Sequence, residues 1–187
     1  MKSPTIRIAQ PGDIFILLVP SAQELHLLRQ WQAELHTRYG GTPVNHLHIT
    51  SQRFTPWQGQ LQKACINLLN SELQNLPSFP VFTDRIIQFY ARYWETLVLR
   101  WRVQETEQYS HFRDILDRIL VEIDCPSHFD RQRPASCGAL TLNSRVDLEA
   151  KPPNRRFPAH LFMAQELLLS QLVDKNTFEI IETIKLK

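Results

Sequence analysis

Residues 43–54 read PVNHLHITSQRF, with His46, His48 and Thr50 at every second position. In an extended chain, side chains two apart project to one face. These three polar groups therefore align, while Leu47 and Ile49 turn the other way. Histidine changes charge near neutral pH, which suits it to taking and giving protons. A second stretch, AHLFM at 159–163, sets His160 and Phe162 on one face and Ala159, Leu161 and Met163 on the other. Both stretches share the pattern His-apolar-X-apolar, where X is Thr50 in the first and Phe162 in the second. Two other readings stand beside proton transfer. A strand histidine can be half-buried with a backbone partner, and His-x-His is also a spacing of metal-binding strands. A metal needs further ligands, for which His128 and His160 are the loose candidates. His26, His36 and His111 fall on expected helices and read as surface residues.

The elements around these stretches are legible from periodicity. Residues 13–20, DIFILLVP, form an apolar run closed by proline and read as a buried strand. Ser21 and Glu24 have capping-box spacing, so a helix starts there, carries Leu25, Leu28, Trp31 and Leu35 inward, and ends at Gly40–Gly41. Residues 45–54 then read as a strand. TPWQ at 55–58 opens a second helix with Thr55 as N-cap and Pro56 at its first position. The middle reads as sheet: VFTDRIIQFYAR is one bent strand or two. ETLVLRWRVQ at 95–104 alternates Leu97, Leu99, Trp101 and Val103 against Thr96, Val98, Arg100 and Arg102. A third helix spans about 107–123. Residues 126–154 read as a long loop with at most a hairpin, 155–167 as a strand leading into a short helix, and 177–187 as a last strand.

Composition narrows the class. The chain has 187 residues, 43% hydrophobic and 21% charged, as in globular proteins. A net charge of +2 is too small for a protein that coats duplex DNA. The basic residues are 15 Arg against 6 Lys, a bias that fits a phosphate ligand and fits compositional drift equally well. Three cysteines without a CxxC pair argue against a disulfide framework or a cysteine zinc site. The N-terminus lacks the apolar core of a signal peptide, and IFILLV is too short to span a bilayer. The expectation is a cytoplasmic protein without membrane association.

HITS at 48–51 matches the His-x-Thr/Ser-x motif of the 2H phosphoesterase superfamily, which includes bacterial 2′-5′ RNA ligases and 2′,3′-cyclic phosphodiesterases. HLFM at 160–163 sits where the second motif of that family falls. The resemblance spans nearly the whole chain: the first strand and helix, the first motif, FPVF, ETLVLRWRV, a helix and RRFPAHL follow in the family's order. It implies an α+β fold over 1–187 as a single domain. Two pseudo-symmetric lobes, each an antiparallel sheet with helices on its outer face, would flank a central groove. It also implies a metal-independent, cofactor-free phosphoesterase in which His48 and His160 act as general acid and base and Thr50 holds a phosphoryl oxygen. The partner would be RNA or a nucleotide with a cyclic phosphate or 2′-5′ linkage, and the protein a monomer. Phe162 departs from the motif: its ring cannot bind a phosphate oxygen, although it can stack on a base or ribose. The alternative function is a non-catalytic nucleotide- or RNA-binding module. Arg53 either reaches the groove mouth or ends a solvated strand, and Arg155 and Arg156 precede the second motif, where Arg156 is placed as a phosphate contact. Arg100 and Arg102 share a strand face and either border the groove or, as the favoured reading, form an exposed sheet face, and Tyr90 and Trp94 either stack on a base or belong to the core.

Overall fold

The computed structural model describes residues 7–56, 63–125, 127–174 and 177–187. Strand β1 (Ile14–Val19) leads into α1 (Ala22–Tyr39), where Ser21 and Glu24 form the expected capping box. Gly40 ends the helix at φ 72°. Gly41 follows at φ 84°, and a Cβ on it would fall 2.3 Å from the Thr141 carbonyl oxygen, so only glycine lets the chain press this close. Next come β2 (Thr42–Pro43), β3 (Ile49–Phe54), α2 (Lys63–Leu73), β4 (Phe79–Ala91) and β5 (Thr96–Val103). The Thr106-capped α3 (Glu107–Glu122) precedes β6 (Ser136–Leu142), β7 (Ala159–Ala164), β8 (Glu166–Leu172) and β9 (Phe178–Lys185). The expected start of the second helix at 55–58 falls largely outside the described residues.

The strands form one strongly curled antiparallel sheet, a half-barrel, in the order β7-β4-β5-β6-β3-β1-β8-β9, with β2 beside β6. The two lobes are its two four-stranded halves. They meet at β6 and β3, where a single pair, Ile49 opposite Cys137, holds the seam. The helices cover one face. Trp31 of α1 packs edge-on against Trp101 at 6.4 Å, and Tyr109 and Phe112 of α3 pack against Phe79. One continuous hydrophobic cluster fills this side. The opposite face of the sheet is open. Among the described residues no helix is long and apolar enough to cross a membrane.

Three elements differ from the sequence reading. Within 126–154, expected to be a long loop with only a short strand-like piece from Gly138, Ser136–Leu142 is β6, the strand through which the halves join. Its small residues give little periodic signal, yet six of its seven are buried. The short helix expected to end the 155–167 stretch is absent: Glu166–Leu172 is β8, paired with β1 on one side and β9 on the other. Leu, Glu and Gln favour helix locally, but pairing on both edges overrides that preference. The strand expected over 45–54 starts only at Ile49.

The most consequential difference is a β-bulge. Val81 opposes Phe162 while Phe82 opposes His160, which leaves Leu161 as an extra residue on β7. The alternation slips by one. His160 therefore stays on the open face while Phe162 turns into the core at 0% exposure. The expectation that Phe162 faces the groove and touches substrate is corrected: its ring packs with the helix-covered core and offers nothing to stack on. Phe162→Ala is expected to lower unfolding free energy by about 3–5 kcal/mol, as for other large-to-small core changes. Urea denaturation checks this. By the same geometry Phe162→Thr buries a hydroxyl and adds no phosphate donor.

Candidate functional site

His48 sits at the seam, one residue before β3. Its approach is fixed from α1. Arg29 donates to the Val44 carbonyl at 2.6 Å and to the Asn45 carbonyl, and buried Gln32 donates to the carbonyls of Val44 and Ala139 at 2.9 and 2.6 Å. Ala139 is itself a bulge residue, because Leu99 opposes Leu140 while Arg100 opposes Gly138. Its carbonyl is thereby free to accept from Gln32 and from the Val44 N–H at 3.0 Å. Neither Arg29 nor Gln32 stands out in the sequence. Polar residues on a helix normally face water, and nothing local marks these two as clamps.

Ile49 faces the core at 0% exposure, so half-buried His48 and Thr50 share the open face. The His48 Nδ1 lies 3.0 Å from the His46 carbonyl oxygen. Burial, and then the Arg100 guanidinium beside it, push the His48 pKa down to about 4. The ring is therefore neutral near pH 7. Because a carbonyl only accepts, the ring proton resides on Nδ1 and Nε2 is left as a free acceptor. His46 is exposed, and its contribution is this carbonyl.

Arg100, favoured from sequence as an exposed sheet residue, is half-buried on the open face. It lies opposite Gly138 on β6 and Ile87 on β4, on the open face, because Leu99 and Trp101 on either side are buried in the core. One terminal nitrogen donates to the Ser136 hydroxyl at 3.2 Å, and the guanidinium carbon stands 5.7 Å from the Phe89 ring centroid. Its Nε is buried without a partner, and it makes no ion pair among the described residues. Burial lowers its pKa. Its strand neighbour Arg102 is instead matched by Asp84, to which its Nε donates at 2.7 Å. The pair that looked alike in sequence is thus one neutralised cation and one open one. Cys137 below the seam is fully buried, and burial lifts its thiol to about 12, so it is no nucleophile.

His160 is exposed on edge strand β7. Its ring packs edge-on against Phe82 at 5.6 Å. The outer side of β7 is held by α1, where the Met163 N–H donates to a Glu24 carboxylate oxygen at 2.6 Å. Thr83, next to Phe82, is buried and opposes core residue Val103, so Phe82 and His160 lie on the open face. His48 and His160 therefore occupy the same face, on strands with β4, β5 and β6 between them in the sheet order.

Two arginines from the sequence reading have other settings. Arg53 donates to the backbone carbonyls of Arg7 and His128 and lies over Phe15, so it ties the chain before β1 to the loop after α3. That network continues through Thr55, which is 2.7 Å from His128 Nε2 and donates to buried Asp13 at 3.0 Å. Its neutral carbonyl partners leave Arg53 engaged in structure. Arg156 is exposed with no hydrogen bond or ion pair among the described residues. Its neighbour Arg155 stacks on Trp31 at 3.8 Å and pairs with Glu34, against α1. Among the described residues no three His, Cys, Asp or Glu side chains converge as a metal cluster.

The His48 geometry sets a pH signature. Its folded pKa of about 4 lies below the usual histidine value of about 6.5. The neutral form is thus favoured by folding. The associated stability is complete above about pH 6.5 and is lost as pH falls toward 4. Nitrogen-resolved NMR is expected to show His48 as the neutral Nδ1–H tautomer down to about pH 5.

No family model and no curated protein matches the sequence. Solved structures do match. A crystallised phosphoesterase is 18% identical with a TM-score of 0.61, over 95% of this chain and 99% of that one. E. coli LigT complexed with 3′-AMP gives the same figures: 18% identity, 0.61, 95% and 99%. The MHV ns2 PDE domain is 13% identical with a TM-score of 0.52, over 92% of this chain and 99% of that one. Over nearly its whole length the chain has the fold of the 2H phosphoesterases.

Proposed function

We propose that this chain is a metal-independent phosphoesterase acting on a 2′,3′-cyclic phosphate or 2′-5′ phosphodiester of RNA ends or small nucleotides. The observation that carries the reading is the neutral His48, with Nε2 free, beside the unpaired Arg100 and on the same face as His160. The fold it shares with LigT, a structure of which holds 3′-AMP, supports a nucleotide ligand. Arg100 holds the phosphate in a site where few charges compete for it, and Thr50 donates to a second phosphoryl oxygen. In hydrolysis His48 Nε2 takes a proton from water as the water oxygen bonds to phosphorus. The bond from phosphorus to the leaving ribose oxygen breaks, and His160 supplies the proton that oxygen needs. Joining a hydroxyl to a cyclic phosphate exchanges the two roles.

A second reading keeps the groove as a binding site without turnover. What favours it is position 162, where a buried phenylalanine stands in place of the second motif's hydroxyl. Purified protein incubated with 2′,3′-cyclic nucleotides and 2′-5′ dinucleotides, with and without chelator, separates the two. The enzyme reading expects turnover that chelator does not remove. It also expects a loss on the order of 10²–10⁴ in rate for His48→Ala and for His160→Ala, with circular dichroism unchanged. Binding without turnover by the unmodified protein would decide for the module.

A further inference from the structure

Between the pairs Pro43–Leu140 and Ile49–Cys137 the chain has five residues, Val44 to His48, where β6 has two, Gly138 and Ala139. The surplus drives this segment out of the ladder. Its backbone carbonyls then need partners from elsewhere. Three successive ones meet side chains. The Val44 carbonyl accepts from Gln32 Nε2 at 2.9 Å and from Arg29 at 2.6 Å. The Asn45 carbonyl accepts from the other terminal nitrogen of Arg29. The His46 carbonyl lies 3.0 Å from His48 Nδ1.

The two α1 side chains are matched to each other as well as to the backbone. Gln32 is buried. Its Oε1 accepts from Arg29 at 2.7 Å, while its Nε2 donates to the Val44 and Ala139 carbonyls. These neighbours settle which end of the amide is which, because a guanidinium only donates and a carbonyl only accepts. A glutamate of the same shape would turn oxygen toward both carbonyls. Ala139 belongs to β6 and Val44 to the excursion, so one buried amide ties the excursion to the sheet. Further on, Leu47 is buried in the core. The His46 carbonyl is thus bracketed by an anchored carbonyl on one side and a core side chain on the other.

We infer that Arg29 and Gln32 are positioning residues for His48: by holding the excursion they keep the His46 carbonyl on Nδ1, and so determine which ring nitrogen is left to accept a proton. The inference deepens the proposed reaction and rests on His48 as its base. Both side chains act through the backbone, since their donors end on the carbonyls of Val44, Asn45 and Ala139. Released from them, the excursion can turn the His46 carbonyl away. The ring proton can then move to Nε2, and that nitrogen no longer accepts.

The test combines nitrogen-resolved NMR of the His48 ring with kinetics on a 2′,3′-cyclic nucleotide. The proteins are wild type, Gln32→Glu, Arg29→Met and Gln30→Glu, the last a control that makes the same charge change at an exposed position of α1. Gln32→Glu and Arg29→Met are expected to move the His48 ring from the Nδ1–H toward the Nε2–H tautomer. They are also expected to lower kcat by roughly 10- to 100-fold, with KM changed less than about threefold. Gln30→Glu is expected to match wild type in both. Circular dichroism checks folding. Should Gln32→Glu not fold, Arg29→Met, at a half-buried position, decides by the same criteria. An unchanged tautomer in the folded variants, an unchanged kcat in an active protein, or the same changes in Gln30→Glu overturns the inference. If the variants lose the Nδ1–H tautomer but wild type itself turns over no substrate, the positioning of the ring stands and the proposed reaction falls.

Discussion

An unneutralised guanidinium organises the open face. A half-buried charge costs free energy unless a counter-ion or good neutral acceptors meet it, and the other half-buried arginines among the described residues have one or the other. Arg7, Arg102, Arg113 and Arg155 each meet a carboxylate. Arg29 and Arg53 meet backbone carbonyls, and Arg38 meets an Asn154 side-chain oxygen. Among the described residues Arg100 has only a serine hydroxyl and an aromatic ring. Its field reaches His48 and helps keep that imidazole neutral. One cation therefore stands open on this face and adds to the effect of burial, which already favours the neutral form of the histidine.

Geometry around that cation comes from irregular strand pairing. Extra residues at Ser51 on β3, Ala139 on β6 and Leu161 on β7 each break the two-residue repeat. The Ala139 bulge frees a carbonyl that anchors the approach to His48. The Ser51 bulge lets Thr50 face the groove while Gln52, two positions on, turns to α3 and donates to Asp117. The Leu161 bulge sends Phe162 inward. Bulges commonly re-aim side chains beside functional sites, and here three of them decide which members of the two histidine stretches meet solvent.

The same irregularities bound what the sequence disclosed. The α1 boundaries followed from Ser21, Glu24 and Gly40 because capping is local chemistry. The face of β5 followed from unbroken alternation at Leu97–Val103. The open-face placement of His48 and His160 was legible because each precedes the slip in its strand. Phe162 was not, because a bulge has no reliable local code. The strand character of β6 showed from Gly138 on, but its small residues gave no sign of its central place in the sheet, and β8 was masked by a composition that favours helix until two neighbours pair with it. The distinction between Arg100 and Arg102 depends on Asp84, a residue on another strand, which no pattern within β5 could reveal.

Glu24 is placed to do two jobs with one carboxylate. One oxygen completes the cap of α1, and the other accepts from the Met163 N–H on the outer side of β7. An edge strand offers unpaired backbone groups to any passing strand. Here the strand that carries His160 has part of that edge occupied from within the molecule. The carboxylate also brings a negative charge to the border, which discourages strand addition by another copy of the chain. The side chain that starts the first helix thus also closes part of the sheet's edge.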